Sequence, residues 1–235
     1  MARKQKITRK ELLKKPDEFI TVTARVLQWA AKRKKQLVYS LVAVVGLALL
    51  VATYQFAASR SERTAFRLLA ENLAKYEDLR SEQDPEKAYE AVSEKFQRLI
   101  NQYGGNDGGR LTRVAYANIC FEAGRYQEAI DLYERALSDF EGQPLIRNLI
   151  LSGLGYAHEQ LKDFETAVKF FDRLAHDPKV LMPDAAWFNL GCLYAELGET
   201  EKSRQAFQKI LSDYRDSMYY EMVKERLGES SAGLS

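Results

Sequence analysis

Trp187-Phe188-Asn189-Leu190-Gly191-Cys192-Leu193-Tyr194 decides the fold of this 235-residue chain. Its aromatic, aliphatic and small residues follow the spacing W-x2-L-G-x2-Y. Gly198 comes next, where a chain can reverse, and Ser203 and Phe207 follow four residues apart. Asp213-Tyr214-Arg215 closes the stretch. The pattern predicts a helix, a turn and a second helix in a unit of about 34 residues. Two further copies stand in register. Residues 110–143 carry Ala117, Cys120, Gly124, Tyr126, Ala129, Tyr133 and Ala136, and residues 148–181 carry Leu151, Leu154, Gly155, Phe164, Ala167 and Phe171. The units start at 110, 148 and 184, so their spacings are 38 and 36. Connections such as Glu141-Gly142-Gln143-Pro144 and Asp177-Pro178 absorb the excess.

Small residues at the eighth and twentieth places of each unit let two helices approach, and large ones between them fill the gap. One helix pair cannot bury its apolar face alone, so neighbours must stack. The fold class expected is all-α: an N-terminal transmembrane helix followed by an α-solenoid of three to four such units. Upstream, Phe96, Leu99 and Tyr103 repeat the spacing of Phe207, Ile210 and Tyr214. A degenerate first pair is therefore expected, with one helix from Arg63 to Leu79 and another from Pro85 to Tyr103. Gly104-Gly105-Asn106-Asp107-Gly108-Gly109 reads as a mobile loop. Asp184 reads as a helix cap after Pro183. Residues 217–227 suit a last, solvating helix, and residues 228–235 are expected to fray.

Charge divides the chain further. Residues 1–35 hold 12 Lys/Arg against 3 Asp/Glu, residues 36–59 hold none of either, and residues 60–235 hold 23 against 30. The neutral strip contains 22 residues from Leu37 to Ala58. At 1.5 Å per residue these reach about 33 Å, near the hydrocarbon thickness of a bilayer. An uncleaved membrane anchor follows, built on Leu37, Val38, Leu41, Val44, Val45, Leu49, Leu50 and Tyr54. Lys32-Arg33-Lys34-Lys35 abuts its N-terminal side, which places the tail in the cytoplasm and the body across the membrane. Within the tail, Phe19, Val22, Val26 and Trp29, widened by Ile20 and Leu27, form one helical face suited to a lipid surface or a cytoplasmic partner. The domains expected are a basic tail (1–35), the anchor (36–59), a linking helix with the degenerate pair (60–109), three repeats (110–216) and a capping helix with a frayed end (217–235).

The body resembles the tetratricopeptide-repeat proteins, on the motifs quoted above. With its short basic tail and single span, the whole chain is similar to bacterial inner-membrane proteins of the ancillary Sec-translocon subunit type. The resemblance implies a single-pass protein of the inner membrane with its repeat domain in the periplasm. It implies partners among translocon subunits, periplasmic chaperones and nascent polypeptides. It also implies a partner-binding groove lined by the first helix of each unit: Leu111, Val114, Asn118 and Phe121, then Leu149, Ser152, Tyr156 and Glu159, then Ala185, Phe188, Cys192 and Ala195. Relatives that clamp a C-terminal carboxylate need cations where Val114 and Ala185 stand, so no such clamp is expected. The alternative reading is a scaffold or assembly factor for another envelope complex, in cytochrome maturation, cell division or outer-membrane assembly.

Composition excludes much else. At 46% hydrophobic and 29% charged, with 5 Pro and 13 Gly, the chain is neither collagenous nor broadly disordered. Two Cys and two His leave no disulfide scaffold and little material for a metal site. Cys120 and Cys192, two repeats apart, are expected to remain free thiols. His158 holds a packing place, and His176 stands at a helix end. No H-E-x-x-H, G-x-S-x-G or phosphate-loop motif occurs. The expectation is a protein that is not an enzyme, has no cofactor, and binds neither nucleic acid nor a small-molecule substrate.

Overall fold

The computed structural model describes the backbone of residues 18–228 and the side chains of residues 24–228. The basic segment 1–17, the C-terminal residues 229–235 and the side chains of Phe19, Ile20 and Val22 lie outside the described residues. Ten α-helices and no strand occur among the described residues. They are α1 (Glu18–Lys32), α2 (Lys34–Glu82), α3 (Pro85–Tyr103), α4 (Asp107–Glu122), α5 (Tyr126–Asp139), α6 (Pro144–Gln160), α7 (Phe164–Ala175), α8 (Pro183–Glu196), α9 (Thr200–Asp213) and α10 (Tyr220–Arg226). The chain divides into two units, Met1–Ser59 and Arg60–Ser235.

In the first unit, a turn at Arg33 separates α1 from α2, and Arg33 N–H donates to the carbonyls of Trp29 and Ala30. The Arg33 guanidinium stands 5.6 Å from the centre of the Trp29 ring. Val26, Leu27 and Trp29 are all exposed. The anchor residues Leu37, Val38, Leu41, Val44, Val45, Leu49, Leu50 and Tyr54 are exposed as well. The strip holding them is long and apolar enough to cross a membrane. Its two aliphatic hydroxyls are satisfied within the helix: Ser40 and Thr53 donate to carbonyls on the preceding turn.

The second unit is a stack of helix pairs. Within it α4 pairs with α5, α6 with α7 and α8 with α9, and each pair packs on the next through α5–α6 and α7–α8. The small residues sit where two helices touch. Ala117, Ala129 and Ala167 have no exposed surface. Where Ser203 replaces Ala, its hydroxyl is satisfied by the Gly191 carbonyl at 2.7 Å. A Cβ on Gly155 would fall 2.6 Å from the Phe171 ring, and one on Gly191 would fall 2.4 Å from the Phe207 ring. Both glycines are thus required by close packing.

One turn is built three times. Gly124, Lys162 and Gly198 occupy the same place between the two helices of their pairs, with φ of +73°, +62° and +74°. In each turn the next residue donates back five residues: Arg125 to Cys120, Asp163 to His158 and Glu199 to Tyr194, at 2.8, 2.9 and 2.8 Å. This left-handed cap satisfies carbonyls that a helix end leaves orphaned.

The start of the stack departs from expectation in two ways. No helix begins at Arg63; α2 runs through to Glu82. The glycine-rich stretch is half helix: Asn106 caps α4 by accepting from Gly109 N–H at 2.9 Å, and Gly108 and Gly109 are buried in its first turn. A Cβ on Gly108 would meet the Ala65 Cβ at 2.7 Å, and one on Gly109 would lie 1.9 Å from the Tyr103 carbonyl oxygen. The glycines serve close approach of α2 and α3 to α4 rather than mobility. Asp184 is also not the cap of α8, which opens at Pro183; its carboxylate accepts from the Ser217 hydroxyl at 2.7 Å.

Candidate functional site

The residues expected to line a groove fall into three environments. Those on α4 are largely taken up by packing in the core that α4 shares with its neighbours, and α4 also approaches α6. Val114 is only 4% exposed, and Leu111 packs against the same core. Asn118 is half-buried and accepts a hydrogen bond from the Tyr133 hydroxyl. Phe121 stands edge-on to Tyr126 at 5.4 Å. Those at the other end are covered by α10. Phe188 stacks on Tyr219 with centroids 4.4 Å apart, and Arg226 donates to the Cys192 sulfur at 3.3 Å. Ala195 is exposed on the last turn of α8.

Between these ends the structure opens. Leu149, Ser152, Tyr156 and Ala185 line one cavity of about 340 Å³ between α6 and α8. That is within the range of natural ligand pockets. Leu145, Leu181, Met182, Asn189 and the cationic Lys179 also line it, while Phe171 and Leu174 form its buried floor. Four apolar side chains stand there without protein cover: Leu145 is 65% exposed, Leu149 52%, Leu181 76% and Met182 66%. Contiguous apolar surface of this kind marks a binding site more often than scattered single residues do. Leu145, Leu181 and Met182 were not among the expected groove residues. Leu181 and Met182 had a signal in the sequence, the apolar run Val180-Leu181-Met182 inside a connection; Leu145 had none.

That connection is the cause of the opening. From α5 to α6 the chain crosses residues 140–143, whereas from α7 to α8 it crosses residues 176–182. The added length lets α8 stand off from α6, and the two meet through the Asn189 amide, which donates to the Tyr156 hydroxyl at 3.0 Å. The connection is pinned at its start by the ion pair of Arg147 with Asp177. The Lys179 N–H, assisted by Arg147, holds the Asp177 carboxyl below the usual range.

Along the groove the chemistry is graded. On α6, Leu145, Leu149, Ser152, Tyr156 and Glu159 recur at intervals of four and three residues and so share one face. On α8, Ala185, Asn189, Cys192 and Glu196 do the same. The groove therefore passes from apolar to hydrogen-bonding to acidic. Burial, with Glu196 as the next cause, pushes the Glu159 carboxyl above its ordinary pKa. Burial likewise raises the Cys192 thiol, opposed by Arg226. Neither Glu159 nor Glu196 has an ion-pair partner among the described residues.

The other reactive side chains have structural surroundings. Cys120 is a buried free thiol, and Cys192 is a half-buried one. Burial pushes the Cys120 thiol far up, which makes it a poor nucleophile. His158 faces Asp163 through Nδ1 at 3.0 Å and stacks on Phe170 at 5.5 Å. His176 caps α7 and stands edge-on to Trp187 at 5.1 Å.

Helix pairs stacked on nearest neighbours, joined by a repeated left-handed turn and spaced by small residues, define a helical-repeat scaffold. Family models of the tetratricopeptide repeat match residues 86–144, 121–180 and 185–217, which together exceed half of the chain. The protein belongs to the tetratricopeptide-repeat family, whose fold is typically a non-catalytic platform for binding other proteins. Among solved structures it is similar to BtubC (BKLC) from P. vanneervenii, with a TM-score of 0.53 and 18% identity over 74% of this chain and 82% of that one. At that identity the likeness concerns the fold alone. No curated protein matches the chain.

Proposed function

We propose that this protein is a membrane-tethered interaction module whose repeat body binds a segment of another polypeptide in the groove between α6 and α8. The observation that carries the reading is the uncovered apolar cluster of Leu145, Leu149, Leu181 and Met182 around a 340 Å³ cavity. A cluster left open by its own fold gains stability when a partner covers it, at roughly 25 cal/mol per Å² of apolar surface. The apolar strip of α2 supplies the tether. Tethering raises the effective concentration of the groove at the membrane, so a weak contact suffices.

The finer reading follows charge and resemblance. Lys32-Arg33-Lys34-Lys35 holds the tail in the cytoplasm, and the acidic body stands in the periplasm of a bacterial inner membrane. There the groove receives nascent chains, translocon subunits or chaperones as secreted and envelope proteins emerge. A photocrosslinking amino acid at Ser152 in intact membranes tests this. Adducts with translocon subunits and unfinished chains support the reading. A single adduct with one stable envelope complex replaces it with the scaffold reading, and adducts only with cytoplasmic proteins overturn the orientation.

A further inference from the structure

The groove between α6 and α8 does more than offer an apolar surface; its two ends differ. At one end Leu145, Leu149, Leu181 and Met182 surround the cavity, and the one charged residue lining it is the cationic Lys179. At the other, Glu159 on α6 and Glu196 on α8 lie on the same helix faces as Tyr156 and Asn189, about one and two turns beyond the contact between those two side chains. Arg226, the basic side chain contributed there by α10, is turned to the Cys192 sulfur at 3.3 Å and to the Phe207 ring at 5.4 Å. It pairs with neither carboxylate among the described residues. Two like charges facing one groove without a counter-ion cost stability, and the cost disappears when a cation is placed between them.

Distance follows from the helix. Leu149 and Glu159 are ten residues apart on α6, and at 1.5 Å per residue that is ~15 Å. Resting on the reading of the body as an interaction module, we infer that the groove selects a polypeptide segment bearing large apolar side chains for the cavity and, about 15 Å further along, a Lys or Arg opposite Glu159 and Glu196. In an extended segment about four residues intervene; in a helical one about nine do. Tyr156 and Asn189 lie between the two ends. The Tyr156 hydroxyl, which already accepts from Asn189, retains its own proton for a carbonyl of the segment. Apolar contact supplies affinity, and the paired carboxylates reject segments whose charge is reversed.

The test uses the full chain in phosphatidylcholine nanodiscs, whose uncharged surface offers lysine no competing site. The probes are fluorescent peptides with two leucines and two lysines, separated by four Gly/Ser residues or by nine Ala-rich ones, and the same peptides with Glu or Gln in place of Lys. Anisotropy should show one lysine peptide binding at least tenfold tighter than its Glu form and several-fold tighter than its Gln form. In the E159Q/E196Q double variant the three forms should bind alike, at the affinity of the Gln form. Leu149→Asp, at an exposed position, should weaken every form at least tenfold. If lysine, Gln and Glu forms bind the unaltered chain equally while Leu149→Asp still weakens all, the basic-partner inference is overturned and the groove stands. If Leu149→Asp changes nothing, or no peptide binds, the groove itself falls and the inference with it.

Discussion

Replacing Lys162 by Gly should stabilise the second repeat, and the chain contains its own controls. Lys162 holds a φ of +62° at a place where the other two repeats use Gly124 and Gly198. Its backbone conformation is demanded by two hydrogen bonds, Lys162 N–H to the Glu159 carbonyl at 2.8 Å and Asp163 N–H to the His158 carbonyl at 2.9 Å. An L-residue in this region brings Cβ against the following carbonyl and costs about 1–2 kcal/mol. Glycine removes that clash but gives back about 0.5–1 kcal/mol through the larger freedom of the unfolded chain. The net gain is then about 0.5–1 kcal/mol. For a body of this size that corresponds to a rise in Tm of about 1–4 °C. Lys162 is exposed, so loss of its charge contributes little. Thermal unfolding of the full chain in detergent, followed by circular dichroism, measures the shift. Lys162→Ala keeps Cβ and should show no gain, while Gly124→Ala and Gly198→Ala should each lower Tm by a comparable amount. If Lys162→Ala raised Tm as much as Lys162→Gly, the side chain and not the backbone would be the source, and the argument from the repeated turn would fail.

Glu159 has a raised pKa from burial and from Glu196. A carboxyl raised in the fold favours the protonated state, so its contribution to stability is fully present below the unfolded value and is lost as pH rises through the folded one. Glu159→Gln should therefore unfold at a higher temperature than the parent at pH 7, with the difference closing as the pH is brought below about 4.3; a difference independent of pH refutes the assignment. Gly191→Ala should cost about 1–3 kcal/mol, because its Cβ would stand 2.4 Å from Phe207 and the ring must move; a denaturant midpoint unchanged from the parent would show that the pair has slack. Gly109→Ala should be at least as severe, since its Cβ would meet a backbone carbonyl at 1.9 Å rather than a movable side chain. The full chain should stay in the pellet when membranes are washed with alkaline carbonate, and a chain starting at Arg60 should be released; retention of the shortened chain would remove the anchor from the strip.

Most of the helix order was legible because its cause is local. The place of Gly155 and Gly191 is fixed by the aromatic that lies across each, Phe171 and Phe207, and such pairs recur at a constant interval. The left-handed turn was marked by Gly124 and Gly198, yet its third copy was disguised as Lys162. Only the register of the other two reveals it. Gly108 and Gly109 misled the reading for a related reason. Glycine allows both freedom and close approach, and sequence alone does not say which is used. Here the neighbours Ala65 and Tyr103, distant from the motif in one case and just before it in the other, decide for close approach.

The groove was less legible, because a place that can face a partner can equally face the next repeat. Where successive pairs close up, as α4 and α6 do, Val114 and Asn118 are spent on internal packing and on the bond from Tyr133. Where α10 follows the last pair, Phe188 and Cys192 are spent on Tyr219 and Arg226. Between α6 and α8 a longer connection keeps the first helices apart, and there Leu145, Leu149, Leu181 and Met182 remain uncovered around one cavity. The periodic motif thus identifies which faces are candidates, while the lengths of the connections between the pairs identify which candidate is free. A deletion that shortened residues 177–181 to the length of the α5–α6 connection should draw α8 onto α6 and bury Leu149. It would convert the binding surface into one more packing contact, and the chain would gain stability as it lost its partner.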